Sequence, residues 1–202
     1  MSSPASTGGA APAGPRDVAG VLLTPGASAG RDHRTLVALE EALAPLPVRR
    51  VDFPNRRAGR RGPDRPDAAI ACVVEEATAF AAELGVGTDR LVLGGRSFGG
   101  RMCSMAVAQG LPAAGLVLLS YPLHPPGRPD QLRVEHLPQV TVPALAVSGL
   151  RDPFGTPEEL ALHLGTIEGP LRLVTVTGDH SPRDDGPVTS EVVAWVRSLR
   201  VP

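Results

Sequence analysis

Lysine is absent from the sequence, and all 20 basic side chains are arginine. Walker-type phosphate loops use a lysine to reach the phosphates, and Schiff-base catalysis uses a lysine amine as its nucleophile. The absence of lysine therefore excludes both mechanisms. The arginines are balanced by 21 acidic side chains, so the net charge gives no reason to expect nucleic acid or a membrane surface as a partner.

Cysteine is scarce, and long apolar runs are missing. The two cysteines, Cys72 and Cys103, lie inside apolar helical patterns, which favours buried thiols over a disulfide or a pair of metal ligands. No segment reaches the ~18 consecutive apolar residues of a membrane-spanning helix. Residues 1–17 have neither the basic start nor the apolar centre of a signal peptide, so we expect a cytoplasmic protein.

Residues 1–17 are small, polar and rich in proline, and we expect them to form a disordered tail. We expect a single domain over residues 18–202, where short apolar runs alternate with helical patterns. The apolar runs, which predict strands, cover residues 19–25, 47–53, 90–95, 114–120, 143–149 and 171–177. The helical patterns cover residues 34–43, 66–85, 97–109, 156–164 and 188–199. This alternation predicts an α/β fold of about six mostly parallel strands with helices on both faces.

An arginine-rich segment, residues 54–66, separates the second predicted strand from the longest predicted helix, and it contains five arginines. Such a segment could contact a phosphate or an acidic partner. It has no interleaved aromatic residues for base stacking. We therefore interpret it as a solvated surface loop.

The stretch GGRSFGG, residues 94–100, joins a predicted strand to a predicted helix. Gly95, Ser97 and Gly99 match the Gly-x-Ser-x-Gly pattern of a nucleophile elbow, a sharp turn that exposes a serine hydroxyl at the end of a strand. The pattern alone is common, but the strand before it and the helix after it supply the context that an elbow requires. Glycines flank such a serine because the tight turn brings backbone segments into close contact. We therefore predict that Ser97 is a nucleophile.

A serine nucleophile needs a base to take its proton and an acid to orient that base. Asp152 follows the predicted strand 143–149, and His180 follows the strand 171–177. The carboxyl ends of parallel strands meet at one edge of a sheet, and the chain order Ser, Asp, His is typical of this class of hydrolase. Asp179 is the alternative acid, but adjacent side chains rarely face one another, so we favour Asp152. The remaining histidines show no spacing typical of metal ligands: they are His33, His124, His136 and His163.

An oxyanion hole needs two backbone N–H donors. One is predicted to come from Phe98, directly after the nucleophile, and the other from the loop after the first strand, with Ala27 as the candidate. The residues that follow the strand ends are predicted to line the substrate pocket: Tyr121, Leu123, His124, Leu150 and Phe154. Arginines near the same edge could favour an anionic acyl group or could pair with nearby acids; these are Arg96, Arg101 and Arg151.

Four segments resemble a known family: GGRSFGGRMCS, SYPLHPPGRPDQLRVEHLP, SGLRDPFGTPEEL and TGDHS. From about residue 18 to residue 200 the chain resembles a three-layer α/β-hydrolase of the small, dienelactone-hydrolase-like type. More narrowly, it is similar to a branch that includes bacterial hydrolase-like proteins, a testis-expressed human protein and the third subunit of the non-specific-lethal chromatin complex. Members of this branch are mostly assigned by fold, and some serve as scaffolds.

The resemblance implies roles at the matching positions: Ser97 as nucleophile, Asp152 as acid, His180 as base, and the N–H groups of Ala27 and Phe98 as oxyanion donors. It implies no cofactor. The sequence departs from the family at Pro25, where relatives usually carry a histidine. No segment matches the two leading strands of the full fold, and no lid-sized insertion follows Ser120. We therefore expect a trimmed fold with no lid domain and an open site.

The main functional hypothesis is a serine hydrolase that cleaves a carboxylic ester or thioester of a small molecule through an acyl-enzyme. The second is a non-catalytic binding or scaffold protein of the same fold, which Pro25 and the scaffold members of the branch favour. A peptidase is the third, ranked last because no lid or propeller domain selects peptides. We expect no metal and no cofactor, and either a monomer or a homodimer.

Overall fold

The computed structural model describes residues 17–200. It contains six strands: β1 (Gly20–Thr24), β2 (Val48–Arg50), β3 (Leu91–Arg96), β4 (Gly115–Leu119), β5 (Ala144–Gly149) and β6 (Leu171–Val176). All five neighbouring pairs are parallel, in the order β2-β1-β3-β4-β5-β6. The predicted parallel α/β sheet is therefore confirmed. The tail predicted over residues 1–17 lies outside the described residues except for Asp17.

The four inner strands are buried along their whole length, whereas β2 and β6 at the two edges are partly exposed. Uniform burial is typical of a parallel strand that is covered on both faces. The covering helices are α1 (Arg34–Leu43), α2 (Pro54–Arg57), α3 (Pro66–Glu83), α4 (Phe98–Ala108), α5 (Pro157–Leu164) and α6 (Gly186–Ser198). Their bounds agree with the predicted helices to within a few residues, apart from α2.

The helices divide between the two faces of the sheet. Helices α1 and α6 pack on one face, where Leu36, Leu39 and Trp195 belong to the same apolar cluster. Helices α3, α4 and α5 pack on the other face, where Phe80, Met102 and Leu160 belong to a second cluster. The sheet therefore has a helical layer on each side, as predicted.

The arginine-rich segment, residues 54–66, is not entirely a loop, which corrects the interpretation from sequence. It begins with one helical turn, α2, whose first residue is Pro54. Proline suits the first position of a helix because its ring fixes a helical φ angle and because no N–H is needed there. Both oxygens of the buried Asp64 carboxylate accept a hydrogen bond from the backbone N–H of Asn55 at 3.1 Å. This contact holds the turn against the rest of the segment.

The chain between β4 and β5, residues 120–143, crosses the sheet without an α-helix. It contains one short 3₁₀ helix, Leu137–Gln139, which packs against α4. Leu137 and Val140 are fully buried there and anchor the segment to the core. This segment, which we call the β4–β5 connection, replaces a crossover helix and is not a separate lid.

The two cysteines are buried and free, as the sequence predicts. Burial raises the pKa of the Cys103 thiol to about 12 and that of Cys72 to about 11, so both remain protonated at neutral pH. Among residues 17–200, no helix combines the length and the apolar character that a membrane crossing requires.

The packing of α5 predicts different costs for two leucines on this helix. Leu160 is fully buried, whereas Leu162 is 70% exposed. Leu160→Ala is expected to lower the free energy of unfolding by about 2–5 kcal/mol because it leaves a cavity against the sheet. Leu162→Ala, the matched control, is expected to change it by less than about 0.5 kcal/mol. Urea denaturation measures both values, and similar values for the two variants would contradict the placement of α5.

Candidate active site

Ser97 lies on a sharp turn between β3 and α4. Its backbone has φ 51° and ψ −116°, a strained conformation for a residue with a side chain. Its N–H donates a hydrogen bond to the Leu119 carbonyl of β4 at 2.7 Å. A Cβ atom on Gly95 would collide with Thr24, and one on Gly99 would lie 2.5 Å from the Pro25 carbonyl oxygen. The two glycines therefore allow the turn to pack directly against the end of β1.

The structure brings Ser97, His180 and Asp152 together from three strand ends. Nε2 of His180 lies 2.8 Å from the Ser97 hydroxyl oxygen. Nδ1 of His180 lies 2.9 Å and 2.8 Å from the two carboxylate oxygens of Asp152. Because a carboxylate only accepts hydrogen bonds, Nδ1 carries the ring proton, and Nε2 accepts from the Ser97 hydroxyl. The arrangement can therefore transfer a proton from Ser97 to His180.

Asp152, and not Asp179, faces the imidazole of His180. The Asp152 side chain is 1% exposed, and its Oδ1 also accepts a hydrogen bond from the Phe154 N–H at 2.9 Å. Asp179 instead accepts one from the N–H of Ser181 at 2.8 Å. Two acceptors on a buried carboxylate are thus satisfied, as burial of an ionised group requires.

Two further side chains hold His180. The ring of Phe154 stacks on the imidazole, with centroids 4.0 Å apart and planes inclined by 29°. The guanidinium of Arg96 donates hydrogen bonds to the His180 carbonyl oxygen and to the Ser181 hydroxyl. Since Arg96 directly precedes Ser97, it connects the serine turn to the loop that carries His180, between β6 and α6. We call this loop, residues 177–185, the histidine loop. The predicted alternatives for Arg96, an anion site or an ion pair with a nearby acid, did not include this role.

Burial also acts on Arg96 itself. The residue is only 9% exposed, and the loss of hydration lowers the pKa of its guanidinium, while the charge of Asp152 acts in the opposite direction. The histidine loop is fixed further along by Arg34, which donates to the Arg183 carbonyl at 2.8 Å and to the Asp185 carboxylate at 2.6 Å. Arg96 at the end of β3 and Arg34 at the start of α1 therefore both hold this loop.

A cavity of about 490 Å³ opens above Ser97 and His180. Phe98, Phe154 and Pro122 contribute apolar wall, and Arg96, Arg101 and Arg133 contribute charge. A smaller cavity of about 300 Å³ adjoins it and includes Arg56, Arg60 and Arg61 of the arginine-rich segment. The two cavities share the loop 26–29 and the residues Pro63, Asp64 and Phe98. The site is therefore a continuous depression rather than a closed chamber.

Ala27 and Phe98, the predicted oxyanion donors, both line the larger cavity. Phe98 is the first residue of α4, and the first N–H groups of a helix have no acceptor within the helix. Within residues 17–200, neither N–H forms a hydrogen bond. A Cβ on Gly26 would lie 3.8 Å from Cβ of Ser97, so the loop that carries Ala27 packs against the serine. Both residues thus line the cavity that contains Ser97, and their role as donors stays a prediction.

Only Phe154 of the five predicted pocket residues lines the cavity, which corrects the other four. Tyr121, Leu123 and His124 are 1%, 0% and 6% exposed. They are buried because the chain turns inward after β4, where the Tyr121 hydroxyl donates to the Arg133 carbonyl at 2.8 Å. Leu150 is 50% exposed and lies outside the cavity.

The sequence did not single out Arg133, Pro122 or Pro63 as wall residues. Arg133 and Pro122 belong to the β4–β5 connection, and Pro63 belongs to the arginine-rich segment. Neither segment has a periodicity that could indicate which side chains face the site. Of the predicted arginines, Arg101 lines the cavity, whereas Arg151 is exposed beside a different depression near β6.

Two of the other histidines occupy structural positions. His33 caps the N-terminus of α1, and Nε2 of His136 lies 2.8 Å from the Ser104 hydroxyl. Burial, followed by the charge of Arg101, lowers the pKa of His136 to about 4, so its ring is neutral. Within residues 17–200, no three His, Cys, Asp or Glu side chains are arranged to share a metal ion.

Comparisons with known proteins agree with this fold. A dienelactone hydrolase from Anabaena variabilis superimposes with a TM-score of 0.71 and 18% identity, over 92% of this chain and 88% of that one. A thioesterase from the prodiginine pathway of Streptomyces coelicolor superimposes with a TM-score of 0.67 and 17% identity, over 88% of this chain and 90% of that one. None of the curated proteins matches the sequence significantly. Residues 17–191 match the model of the alpha/beta hydrolase domain, and the chain therefore belongs to the alpha/beta hydrolase family.

Proposed function

We propose that the protein is a serine hydrolase that cleaves a small carboxylic ester or thioester. The observation that carries the proposal is the chain of hydrogen bonds from the Ser97 hydroxyl through His180 to the buried Asp152. It lies at the floor of an open cavity, where a substrate carbonyl can reach the hydroxyl. The strained backbone of Ser97 supports the same conclusion, since strain of this kind concentrates at functional sites.

The reaction follows from the geometry. Ser97 Oγ attacks the substrate carbonyl carbon while its proton moves to Nε2 of His180, and the carbonyl oxygen becomes an oxyanion. The intermediate then collapses: the bond from carbon to the leaving oxygen or sulfur breaks, and His180 returns the proton to the leaving group. The acyl group remains on Oγ. Water attacks it in the same way, with His180 first taking a proton and then restoring it to Ser97.

The oxyanion is stabilised by the backbone N–H groups of Phe98 and Ala27. The N-terminus of α4 adds the positive end of its helix dipole. Donors of this kind are already fixed before the reaction, so they need no reorganisation when charge develops on the oxygen. One such donor typically contributes about 10²–10³-fold to the rate.

The size of the site favours a small substrate. A cavity of about 490 Å³ corresponds to a small organic molecule rather than a folded partner. A dienelactone hydrolase and a thioesterase are among the structures of similar fold, which is in accord with transfer of an acyl group to water. We place the protein in the dienelactone-hydrolase-like group as part of this proposal.

A non-catalytic scaffold is the second candidate. Its support is Pro25, which is buried beside the elbow and has no side-chain hydrogen-bond donor, and the resemblance to the testis-expressed and non-specific-lethal branch. A scaffold has no need for a strained serine that is hydrogen-bonded to a histidine. Labelling of the serine by a reactive probe distinguishes the two candidates.

Ser97→Ala is expected to abolish labelling by a neutral fluorophosphonate probe. In the wild type, His180 should activate the hydroxyl, and intact-mass analysis should find one adduct per chain. Ser190→Ala, which removes an exposed hydroxyl on α6, is the control and should retain the adduct. A folded wild type that takes up no probe would favour the scaffold over the hydrolase.

Asp152→Asn is expected to lower kcat by about 10²–10⁴-fold, because an amide no longer holds the proton on Nδ1 of His180. Asp179→Asn is the matched control. Its side-chain oxygen can still accept from Ser181, so kcat should stay within about threefold. Hydrolysis of a neutral p-nitrophenyl ester measures both. A larger loss at position 179 would assign the acid to Asp179 instead.

Arg96→Met is expected to lower kcat by about 10–100-fold with little change in KM, since it frees the backbone that carries His180. Arg96→Lys keeps one charged donor and should recover part of the rate. The downfield proton resonance of His180 Nδ1–H should weaken in the methionine variant and return in the lysine variant. A loss of stability with an unchanged resonance would show that Arg96 acts only on folding.

A further inference from the structure

Within the described part of the chain, three arginines line the cavity above Ser97 without an acidic partner, and one of them, Arg96, is hydrogen-bonded to the loop that carries His180. The other two are Arg101 and Arg133, and within residues 17–200 neither forms a salt bridge. The Nε of Arg101 is buried and has no hydrogen-bond acceptor. Buried donors in folded proteins are almost always satisfied, so the Arg101 guanidinium has hydrogen-bonding capacity that the chain itself does not use.

Several arginines on the outer surface are paired with acids. Arg50 binds Asp32 at 2.8 Å and Glu40 at 2.7 Å, and Arg172 binds Glu191 at 2.5 Å. Others, including Arg65, Arg128 and Arg183, form no salt bridge within residues 17–200, but they are exposed to water. Arg101 and Arg133 differ from these because they are partly buried in the wall of the site.

Both arginines are held in place by the fold. Arg101 follows Ser97 by one helical turn, and its N–H donates to the Ser97 carbonyl at 3.1 Å, so its side chain leaves α4 on the side of the serine. The backbone of Arg133 is fixed twice: its N–H donates to the Leu123 carbonyl at 2.8 Å, and its carbonyl accepts from the Tyr121 hydroxyl at 2.8 Å. The backbones that carry the two guanidinium groups are thus fixed before a ligand binds.

Other charges at the wall do not neutralise this pair. Arg96 is occupied by the histidine loop, and His136, next to Arg101, is neutral. Asp64 is the one acidic residue of the lining, and its two oxygens accept from the Asn55 N–H. The pKa of Arg133 is lowered by burial and then by the charge of Arg101. The wall therefore carries an excess of positive charge.

We propose that Arg101 and Arg133 form an anion subsite, and that the substrate is an ester or thioester whose acyl part carries a second, negatively charged group. This inference rests on the proposed hydrolase function of Ser97. The planar guanidinium groups suit the paired oxygens of a carboxylate or a phosphate. The subsite orients the carbonyl toward Ser97 by holding the far end of the acyl chain.

Two matched esters test the charge requirement. One is the p-nitrophenyl monoester of adipic acid, whose acyl part ends in a carboxylate, and the other is its methyl ester, which is neutral. We expect the wild type to prefer the charged ester in kcat/KM by about tenfold or more. Arg101→Gln and Arg133→Gln should each reduce this preference about tenfold, because kcat/KM should fall much further for the charged ester than for the neutral one.

Arg151→Gln is the control variant, because Arg151 is exposed and lines a different depression; it should retain the preference. Thermal denaturation checks that each variant is folded. If the Arg101→Gln variant does not fold, the Arg133→Gln variant still tests the subsite. No preference in the wild type, or an equal loss on both esters, would overturn the subsite. A third ester with its carboxylate on the phenol ring would, if preferred, place the anion on the leaving group and overturn the acyl assignment.

Binding to Ser97→Ala separates the subsite from turnover. Calorimetry with monomethyl adipate and with inorganic phosphate should detect binding that is lost in the double variant Arg101→Gln and Arg133→Gln, and the stronger ligand identifies the anion. Labelling of Ser97 without anion binding would overturn the subsite and keep the hydrolase. Anion binding without labelling would overturn the hydrolase and keep an anion site, and the absence of both would overturn both.

Discussion

The close packing of the serine turn against the end of β1 is the contact on which the rest of the site depends. Gly95 and Gly99 let β3 and the first turn of α4 touch Thr24 and Pro25 directly. This contact forces Ser97 into its strained conformation and raises its hydroxyl above the edge of the sheet. It also places the loop after β1 and the first residue of α4 on the wall of the same cavity. One steric constraint therefore positions the hydroxyl and the segments that carry both candidate oxyanion donors.

The histidine must reach this serine across the sheet. Two strands separate β3 from β6, so their axes are about 14 Å apart, and the loop after β6 has to bend back over β5. The loop does so at Gly149, where a side chain would collide with the Asp179 carbonyl. Arg96, Arg34 and the Phe154 ring hold this loop in place. Much of the charge near the site thus serves to fix His180.

Strand geometry made the proximity of the candidate catalytic residues predictable from the sequence. Ser97, Asp152 and His180 each lie within four residues of the end of an apolar strand, and the ends of parallel strands must meet at one edge, so their proximity could be expected without a structure. The pocket wall could not be predicted in this way. Residues 121–124 and Arg133 lie in a connection without periodicity, where burial is decided by how the chain turns after Ser120. Helix α2 could not be predicted either, because this single helical turn depends on Pro54 and on a contact with Asp64 rather than on an apolar pattern.

Because the sequence contains no lysine, the positive charge of the proposed anion subsite comes from arginine alone. Arginine keeps its proton over the whole physiological pH range, so the positive charge contributed by Arg101 and Arg133 does not change as pH is varied. A fixed charge in a partly buried wall lowers the stability of the empty site, because burial removes hydration that no acidic residue replaces. A negatively charged acyl group would restore that stabilisation at a distance from the scissile bond. Binding energy gained there can hold the carbonyl against Ser97, which is the arrangement that lowers the barrier to attack.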